Sequence, residues 1–429
     1  MSTLLNVFMN ERQAGELNID DNMRMSFRYV EDYLAIQGQA ISLTLPVVDC
    51  SYPDAVVFPF VENLLPEGEI REKIRELHKI EDGNYERLLE LLGGDVAGAI
   101  SFYPAGQKPT PNLDRGNALT TDEFSQLLLD IQDRPFSSIS EENVGNRLSL
   151  AGAQNKLPVI VKDERIFEAG YEPSTHIIKP ARKDGRFSSI VYNEYICMKA
   201  AKRAGINASC VSLLTVNDQD GNESDALLIE RYDRSIESDQ VTRRLGQEDL
   251  CQLNSIVSTK KYEKSGGPGF VELFEAIRVY SIVPAVDDLE AIKRMVFNLV
   301  IGNYDAHGKN FSIITDRRGR VKFSPAYDLV CTEAYDELDQ TFAMAIDGVY
   351  KLSELTEVNL QSMFEALGKK YSGLKKYIII FVNESLSAVE AEVMEFIDGD
   401  YYQDDIDMAN LILAISKDNA RVLLEMLNS

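Results

Sequence analysis

The sequence of 429 residues has no tryptophan, three histidines (His78, His176 and His307) and five cysteines. Cys50, Cys197, Cys210, Cys251 and Cys331 are odd in number, far apart and without a C-x-x-C pair, which argues against both a disulfide framework and a structural zinc site. They read as reduced thiols of a cytoplasmic protein. The start, MSTLLNVFMNERQAGEL, lacks a basic stretch followed by a long apolar one. The most apolar segments elsewhere, such as Tyr377 to Val382, fall far short of the roughly 20 residues that span a bilayer. A soluble, unsecreted chain without a membrane partner is expected. Basic residues are also scarce: 44 Lys and Arg against 69 Asp and Glu give a net charge of −25, which repels bulk nucleic acid and anionic lipid. Any nucleic-acid contact must be local or borrowed from a partner. Neither G-x-G-x-x-G nor a Walker A loop occurs.

What is present is ordinary globular material, 45% apolar and 26% charged, in a length that suits two or three domains. From Leu4 to Leu45 short alternating runs (LLNVFMN, MRMSFRYV, AISLTL) separated by Asn, Gly and Asp read as antiparallel strands. Helical periodicity takes over in VFPFVENLLPEGEIREKIRELHKI and in NYERLLELLG. The Pro- and Gly-rich stretch from Pro104 to Gly116 reads as a linker. Beyond a helix at Asp122 to Asp133 and a loop from Phe136 to Asn155, strands are expected at LPVIV, RIFEA, THIIKPA, CVSLLTVN and SDALLIERYD, with a helix from Ser189 to Ala204 between the third and fourth. From Gln247 on the chain is mostly helical. The expected division is 1–110, 111–240 and 241–429.

Three separated features bear on chemistry. Asp305-Ala-His-Gly-Lys-Asn310 follows a helix ending near Gly302, and an Asp with an Asn five positions on is the spacing of a protein-kinase catalytic loop. Alone, the hexapeptide reads equally well as a turn rich in Asn, Asp and Gly. Asp328 follows the hairpin IITDRRGRVKF, which would bring it to the same end as Asp305, where a Mg²⁺ ligand is needed; alone it could be an N-cap. Lys179, in the strand THIIKPA, precedes Glu194 on the next helix, the pair of residue types that orients nucleotide phosphates. The order Lys, Glu, Asp-x4-Asn, Asp reproduces the kinase order of roles, whereas each member alone has a bland alternative. For phosphate binding there is RLSLAGAQNK, whose small residues Ala151, Gly152 and Ala153 would let backbone N–H groups approach oxygen, with Lys156 adding charge; a plain surface turn fits the same composition. Glu230, Arg231 and Tyr232 follow the strand ALLI as a candidate adenine hinge, and Asp233 is placed to reach a ribose hydroxyl. His307 beside Asp305 could ligate a transition metal, but three histidines supply a multi-His centre poorly.

The segments SLAGAQNK, THIIKPA, NEYICMKAA, ERYDR, QEDLCQ, KYEKSGGPG, GNYDAHGKNFS and SPAYDLV resemble, in order, the motifs of the HipA family, serine/threonine kinase toxins of bacterial toxin-antitoxin pairs. ISLTLP, NLLPEG and GGDVAGAISF resemble that family's N-terminal domain. The resemblance implies an α+β, two-lobed, protein-kinase-like fold with a β-rich N-terminal subdomain and a mostly helical C-terminal domain. It implies ATP and Mg²⁺ as cofactors, Asp305 as the catalytic residue, Asn310 and Asp328 as metal ligands and Lys179 as the phosphate-binding lysine. Residues Ala151, Gly152, Ala153, Gln154, Asn155 and Lys156 would form the phosphate loop, and Glu230 to Tyr232 the hinge. His307, Gly308, Lys309 and Tyr327 would lie about the nucleotide. Ser149 matches the serine that such kinases autophosphorylate. Asn155 departs from the acidic residue expected there, though the loop's backbone role survives the change.

The family also implies a DNA-binding, HipB-like antitoxin as partner, operator DNA reached through it, and a protein substrate, with glutamyl-tRNA synthetase as the leading candidate. A corepressor without catalysis and a small-molecule phosphotransferase are the competing readings. Lys369, Lys370, Lys375 and Lys376 form the densest basic cluster of the C-terminal region, with Lys369 and Lys370 as candidate DNA contacts. Between Tyr377 and Ser416 there are nine acidic residues and no Lys or Arg, a change of sign that suggests a docking surface for a basic antitoxin.

Overall fold

The computed structural model describes residues 2–109, 118–133, 156–168, 172–181, 187–217, 223–236 and 242–428. The chain divides into two compact units, each assembled from three stretches: Met1–Lys183, Leu214–Thr259 and Ile313–Val321 in the first, Asp184–Leu213, Lys260–Ser312 and Lys322–Ser429 in the second. No described helix is long and apolar enough to cross a membrane.

In the first unit, β1 (Thr3–Met9), β2 (Arg12–Ile19), β3 (Met25–Tyr29), β4 (Ser51–Tyr52) and β5 (Ile100–Pro104) form an antiparallel sheet in the order β4-β3-β2-β1-β5. Period-two burial of Leu5, Val7 and Met9, and of Met25, Phe27 and Tyr29, gives the sheet one core face. Helices α2 (Asp54–Glu62), α3 (Gly68–His78) and α4 (Tyr85–Leu92), with the short α1 (Glu31–Ala35) before them, add Val57, Phe60, Ile74 and Leu89 to the same core.

Two expectations change here. The helical run after Tyr52 is two helices, because Pro66 lacks an N–H and restricts the residue before it. AISLTL makes only the isolated bridge Ser42↔Leu45. Its polar groups go to a buried carboxylate instead: Ser42 Oγ donates to Glu248 Oε2 at 2.6 Å and Leu43 N to Oε1 at 2.8 Å.

The second sheet of this unit has the order β7-β6-β8-β10-β9, from β6 (Leu157–Lys162), β7 (Arg165–Glu168), β8 (His176–Pro180), β9 (Val211–Asn217) and β10 (Glu223–Glu230). Phe124, Leu127 and Leu128 of α5 (Thr121–Asp133) pack on Leu157, Val159, Ile178 and Ala226. After it come β11 (Arg234–Ile236), β12 (Thr242–Arg244), β13 (Gly246–Asp249) and the single-turn α7 (Leu250–Leu253), which opens on a reciprocal Asp249–Gln252 capping box. Gln252 Nε2 donates to Phe60 O at 3.0 Å, and Ser258 Oγ and N both donate to Glu62, so this segment is bolted to α2.

The second unit is mainly helical. Helix α6 (Ile190–Arg203), α9 (Pro284–Ile301), α11 (Tyr371–Ile397) and α12 (Gln403–Asn428) pack on one another, with α8 (Phe270–Tyr280) on α9 and α10 (Glu357–Ala366) on α11. Val296, Phe297, Val300, Phe381, Val389, Ile412 and Leu423 are fully or almost fully buried. Helix α6, expected with the strands around it, belongs by contacts to this unit, so Lys179 and Glu194 fall in different units.

Candidate active site

Helix α9 delivers the Asp305 loop. It ends at Gly302, whose N–H caps Leu299 O and Asn298 O at φ +65°. A Cβ on Gly302 would sit 2.4 Å from Glu333 Oε2, so both the left-handed backbone and the close approach call for glycine. Beyond it the chain is held by a series of hydrogen bonds. Tyr304 N donates to Thr332 Oγ1 at 2.7 Å, Thr332 Oγ1 donates to Gly302 O at 3.2 Å, and Tyr304 Oη donates to Glu333 Oε2 at 2.7 Å. Within the loop, His307 N donates to Asp305 O at 2.8 Å, Asn310 N to His307 O at 2.8 Å, and Asn310 Nδ2 back to Asp305 O at 2.9 Å. That last bond ties the two residues of the Asp-x4-Asn spacing into one closed turn. The Asp305 side chain is half exposed.

Asp328 is placed by a second set of anchors. Two strands, β14 (Ser312–Thr315) and β15 (Val321–Phe323), flank a turn closed by Gly319 N donating to Asp316 O at 2.9 Å. Past β15 the chain is pinned to α9 and α6. Phe323 N donates to Asp287 Oδ2 at 2.9 Å; the buried Arg294 donates to Ser324 O while its guanidinium lies 3.9 Å from the Phe323 ring centroid. Ala326 N donates to Asn207 O at 2.7 Å, and buried Asn193 accepts from Cys331 N at 2.8 Å and donates to Cys331 O at 3.0 Å. Between these anchors Asp328 adopts φ +59°, a left-handed conformation that a carboxylate residue tolerates better than most. Tyr327 Oη donates to Lys309 O at 2.6 Å and lies 2.5 Å from Ser312 Oγ, joining the Asp328 segment to the Asp305 loop.

His307 is 5% exposed, and its pKa falls well below the ordinary histidine value: burial is the main cause, the nearby Lys261 and Lys309 cations add to it, and the Asp328 carboxylate opposes it. The ring is therefore neutral at physiological pH, with Nδ1 buried and without a hydrogen-bond partner among the described residues, and Nε2 4.0 Å from Asp305 Oδ2. Sequence reasoning passed over Tyr262, whose Oη donates to Asp305 Oδ1 at 2.6 Å and whose ring stands edge-on to His307 at 5.1 Å. Its only signal was a place in the KYEKSGGPG motif.

In the first unit, Lys179 lies on β8 opposite Leu227 of β10, 7% exposed. Glu230 ends β10 opposite His176, and Arg231 N already donates to Thr175 O at 3.0 Å. Asp233 is corrected. It is buried and accepts from Arg231 Nε and Nη2, from Arg234 Nη1 at 2.8 Å and from Gly98 N at 2.9 Å, so it belongs to an internal ionic cluster and not to a ribose site. Asp95 completes that cluster, 3.1 Å from Arg234 and 3.0 Å from Arg244, with Ser174 Oγ donating to it at 2.8 Å. The arginines hold the Asp95 and Asp233 carboxyls below the usual range despite burial, and burial beside other guanidiniums lowers Arg234 to about 10. Of the phosphate loop, Lys156 is described; Ser149, Ala151, Gly152, Ala153, Gln154 and Asn155 lie outside the described residues.

The lysine cluster disperses in three dimensions. Lys369 pairs with Asp288 over the Phe274 ring and Lys375 pairs with Glu357 at 2.7 Å; Lys370 and Lys376 are exposed. The acidic stretch is also partly neutralised, by Arg203 on Glu392 and Glu395 and by Lys417 on Glu390.

The HipA N-terminal domain model matches residues 5–103 and the HipA-like C-terminal domain model residues 148–391. Y4mE of Sinorhizobium fredii is 34% identical over 398 residues, 91% of this chain and 92% of that protein. The serine/threonine-protein kinase toxin HipA of Shewanella oneidensis is 29% identical over 377 residues, 85% and 83% of the two chains. The solved structure of Shewanella oneidensis HipA with HipB and its operator DNA aligns at TM-score 0.83 and 25% identity, covering 99% of this chain and 98% of that one. With both domain models matched and a relative aligned along nearly its whole length, the chain belongs to the HipA family and is by type a serine/threonine protein kinase.

Proposed function

We infer that this kinase transfers the γ-phosphoryl group of ATP to a protein serine or threonine, with Asp305 as the catalytic carboxylate. The carrying observation is the closed Asp305–Asn310 turn on a rigid helix end, with Asp328 fixed beside it through the Tyr327–Lys309 contact. Asp305 orients the acceptor hydroxyl and takes its proton as the new O–P bond forms and the bond to the β–γ bridging oxygen breaks, releasing ADP. The Asn310 and Asp328 side-chain oxygens are hard donors of the kind that would hold Mg²⁺. A cation held by these two residues would supply neutralisation of the phosphate charge. Neutral His307 and buried Lys309 belong to the same loop, which Gly308 N ties to Lys261 O at 3.1 Å. Lys179 is the candidate phosphate contact, residues Ala151 to Lys156 the candidate phosphate loop, and Glu230 and Tyr232 the candidate hinge, since the Arg231 N–H is already engaged.

Asp305→Gln is expected to lower transfer by on the order of 10²- to 10⁴-fold with an unchanged melting curve, because a half-exposed loop carboxylate adds little to the core. Near-wild-type transfer in that variant would refute the assignment. Comparing phosphoproteomes after brief induction of wild type and Asp305→Gln identifies the substrate, with glutamyl-tRNA synthetase as the proposed target. By extension from the HipA–HipB–operator complex, we also propose a HipB-like antitoxin as partner, with operator DNA contacted mainly through it. Autophosphorylation at Ser149 is the proposed off switch, since about −1.5 to −2 of added charge keeps the loop from folding over ATP phosphates.

A further inference from the structure

A side chain of the segment 260–267 reaches the Asp305 carboxylate. Tyr262 Oη donates to Asp305 Oδ1 at 2.6 Å, the short range of a hydrogen bond to an ionised acceptor. The segment is anchored on both sides of that residue. Lys261 O accepts from Gly308 N at 3.1 Å, Glu263 N donates to Ala343 O at 3.1 Å, and Ala345 N donates to Glu263 Oε2 at 2.5 Å. Gly267 N closes the turn on Tyr262 O at 3.0 Å, and a Cβ on Gly267 would lie 2.2 Å from Lys260 O, so this tight return admits only glycine. The Tyr262 ring packs edge-on against His307, which is itself buried.

We propose that Tyr262 is a positioning residue for phosphoryl transfer: its phenol fixes one carboxylate oxygen of Asp305, so that the carboxylate keeps one orientation toward the acceptor hydroxyl. The proposal rests on Asp305 being the catalytic carboxylate. The χ2 torsion of a carboxylate is broad and two-fold, and a short hydrogen bond to one of its oxygens narrows it toward a preset geometry.

The test is steady-state kinetics on full-length Tyr262→Phe, Asp305→Asn and the double variant, with melting temperature as a fold control. Phe keeps the ring edge on His307 and removes only the hydroxyl. Expected for Tyr262→Phe is a kcat about tenfold lower, with KM for ATP within about twofold of wild type and an unchanged melting temperature, as for loss of one charge-assisted hydrogen bond. The double variant should be no slower than Asp305→Asn alone. Wild-type kcat in Tyr262→Phe, or a raised kcat as for release of an inhibitory contact, overturns the proposal while Asp305→Asn remains inactive. If Asp305→Asn is itself active, the underlying assignment of Asp305 fails instead.

Discussion

Asp95→Asn tests what holds the N-terminal sheet and the post-β10 segment together inside the first unit. Asp95 is 2% exposed and faces Arg234 at 3.1 Å, Arg244 at 3.0 Å and Arg231 at 3.9 Å, while Asp233 is the other carboxylate paired with these arginines among the described residues. Asparagine keeps the shape and a hydrogen bond to Ser174 but removes the charge, leaving three buried guanidiniums to one carboxylate. Breaking a buried, hydrogen-bonded ion pair from one side costs about 3–5 kcal/mol. At about 2–4 °C per kcal/mol for a unit of this size, that is a fall of roughly 6–20 °C in melting temperature. Differential scanning calorimetry on the full chain reads it directly. The double variant Asp95→Asn, Arg244→Met should lose less than the sum of the single changes, because Arg244 matters mainly through Asp95. Acid unfolding supplies an independent check. Both carboxyls have folded-state pKa values below the ordinary aspartate range, so their contribution is full above about pH 4 and is lost as pH falls through the folded values. The stability of Asp95→Asn should therefore fall less steeply than wild type below pH 4. A melting temperature within 2 °C of wild type, or strict additivity with Arg244→Met, would refute the reasoning.

Glu248 titrates in the opposite sense. Burial raises its carboxyl to about 7 against the bonds from Ser42 and Leu43, so the folded state favours the proton and stability declines as pH rises from about 4.5 through 7. Glu248→Gln should flatten melting temperature against pH across that window, and an unchanged slope would show that another group carries it. Ser149→Ala incubated with Mg-ATP should leave its tryptic peptide unmodified in mass spectra. Phosphate still present in that peptide would remove Ser149 as the modification site.

The parts of the molecule legible in the sequence are those whose cause is local. Period-two burial in β1 and β3, the Gly302 helix end before Asp305, and the Asp316–Gly319 turn that returns the chain toward Asp328 each follow from a few adjacent residues. What could not be read depends on partners distant in the chain. Asp233 follows a strand, as a ribose ligand would, but Asp95 and Gly98 arrive from the far side of the sequence and make its site an internal one. A lysine cluster that is dense along the chain loses Lys369 to Asp288 of α9 and Lys375 to Glu357 of α10. AISLTL alternates like a strand yet gives its donors to Glu248, because satisfying a buried carboxylate outweighs joining a sheet edge. The same asymmetry holds at the active site. The Asp-x4-Asn spacing is visible in six residues, whereas Tyr262, Arg294, Asp287 and Asn193, which set the position of Asp305 or Asp328, lie on other elements and carry no spacing signal. Sequence motifs therefore mark the candidate site residues, and the long-range bonds that hold them still become visible only when the chain is folded.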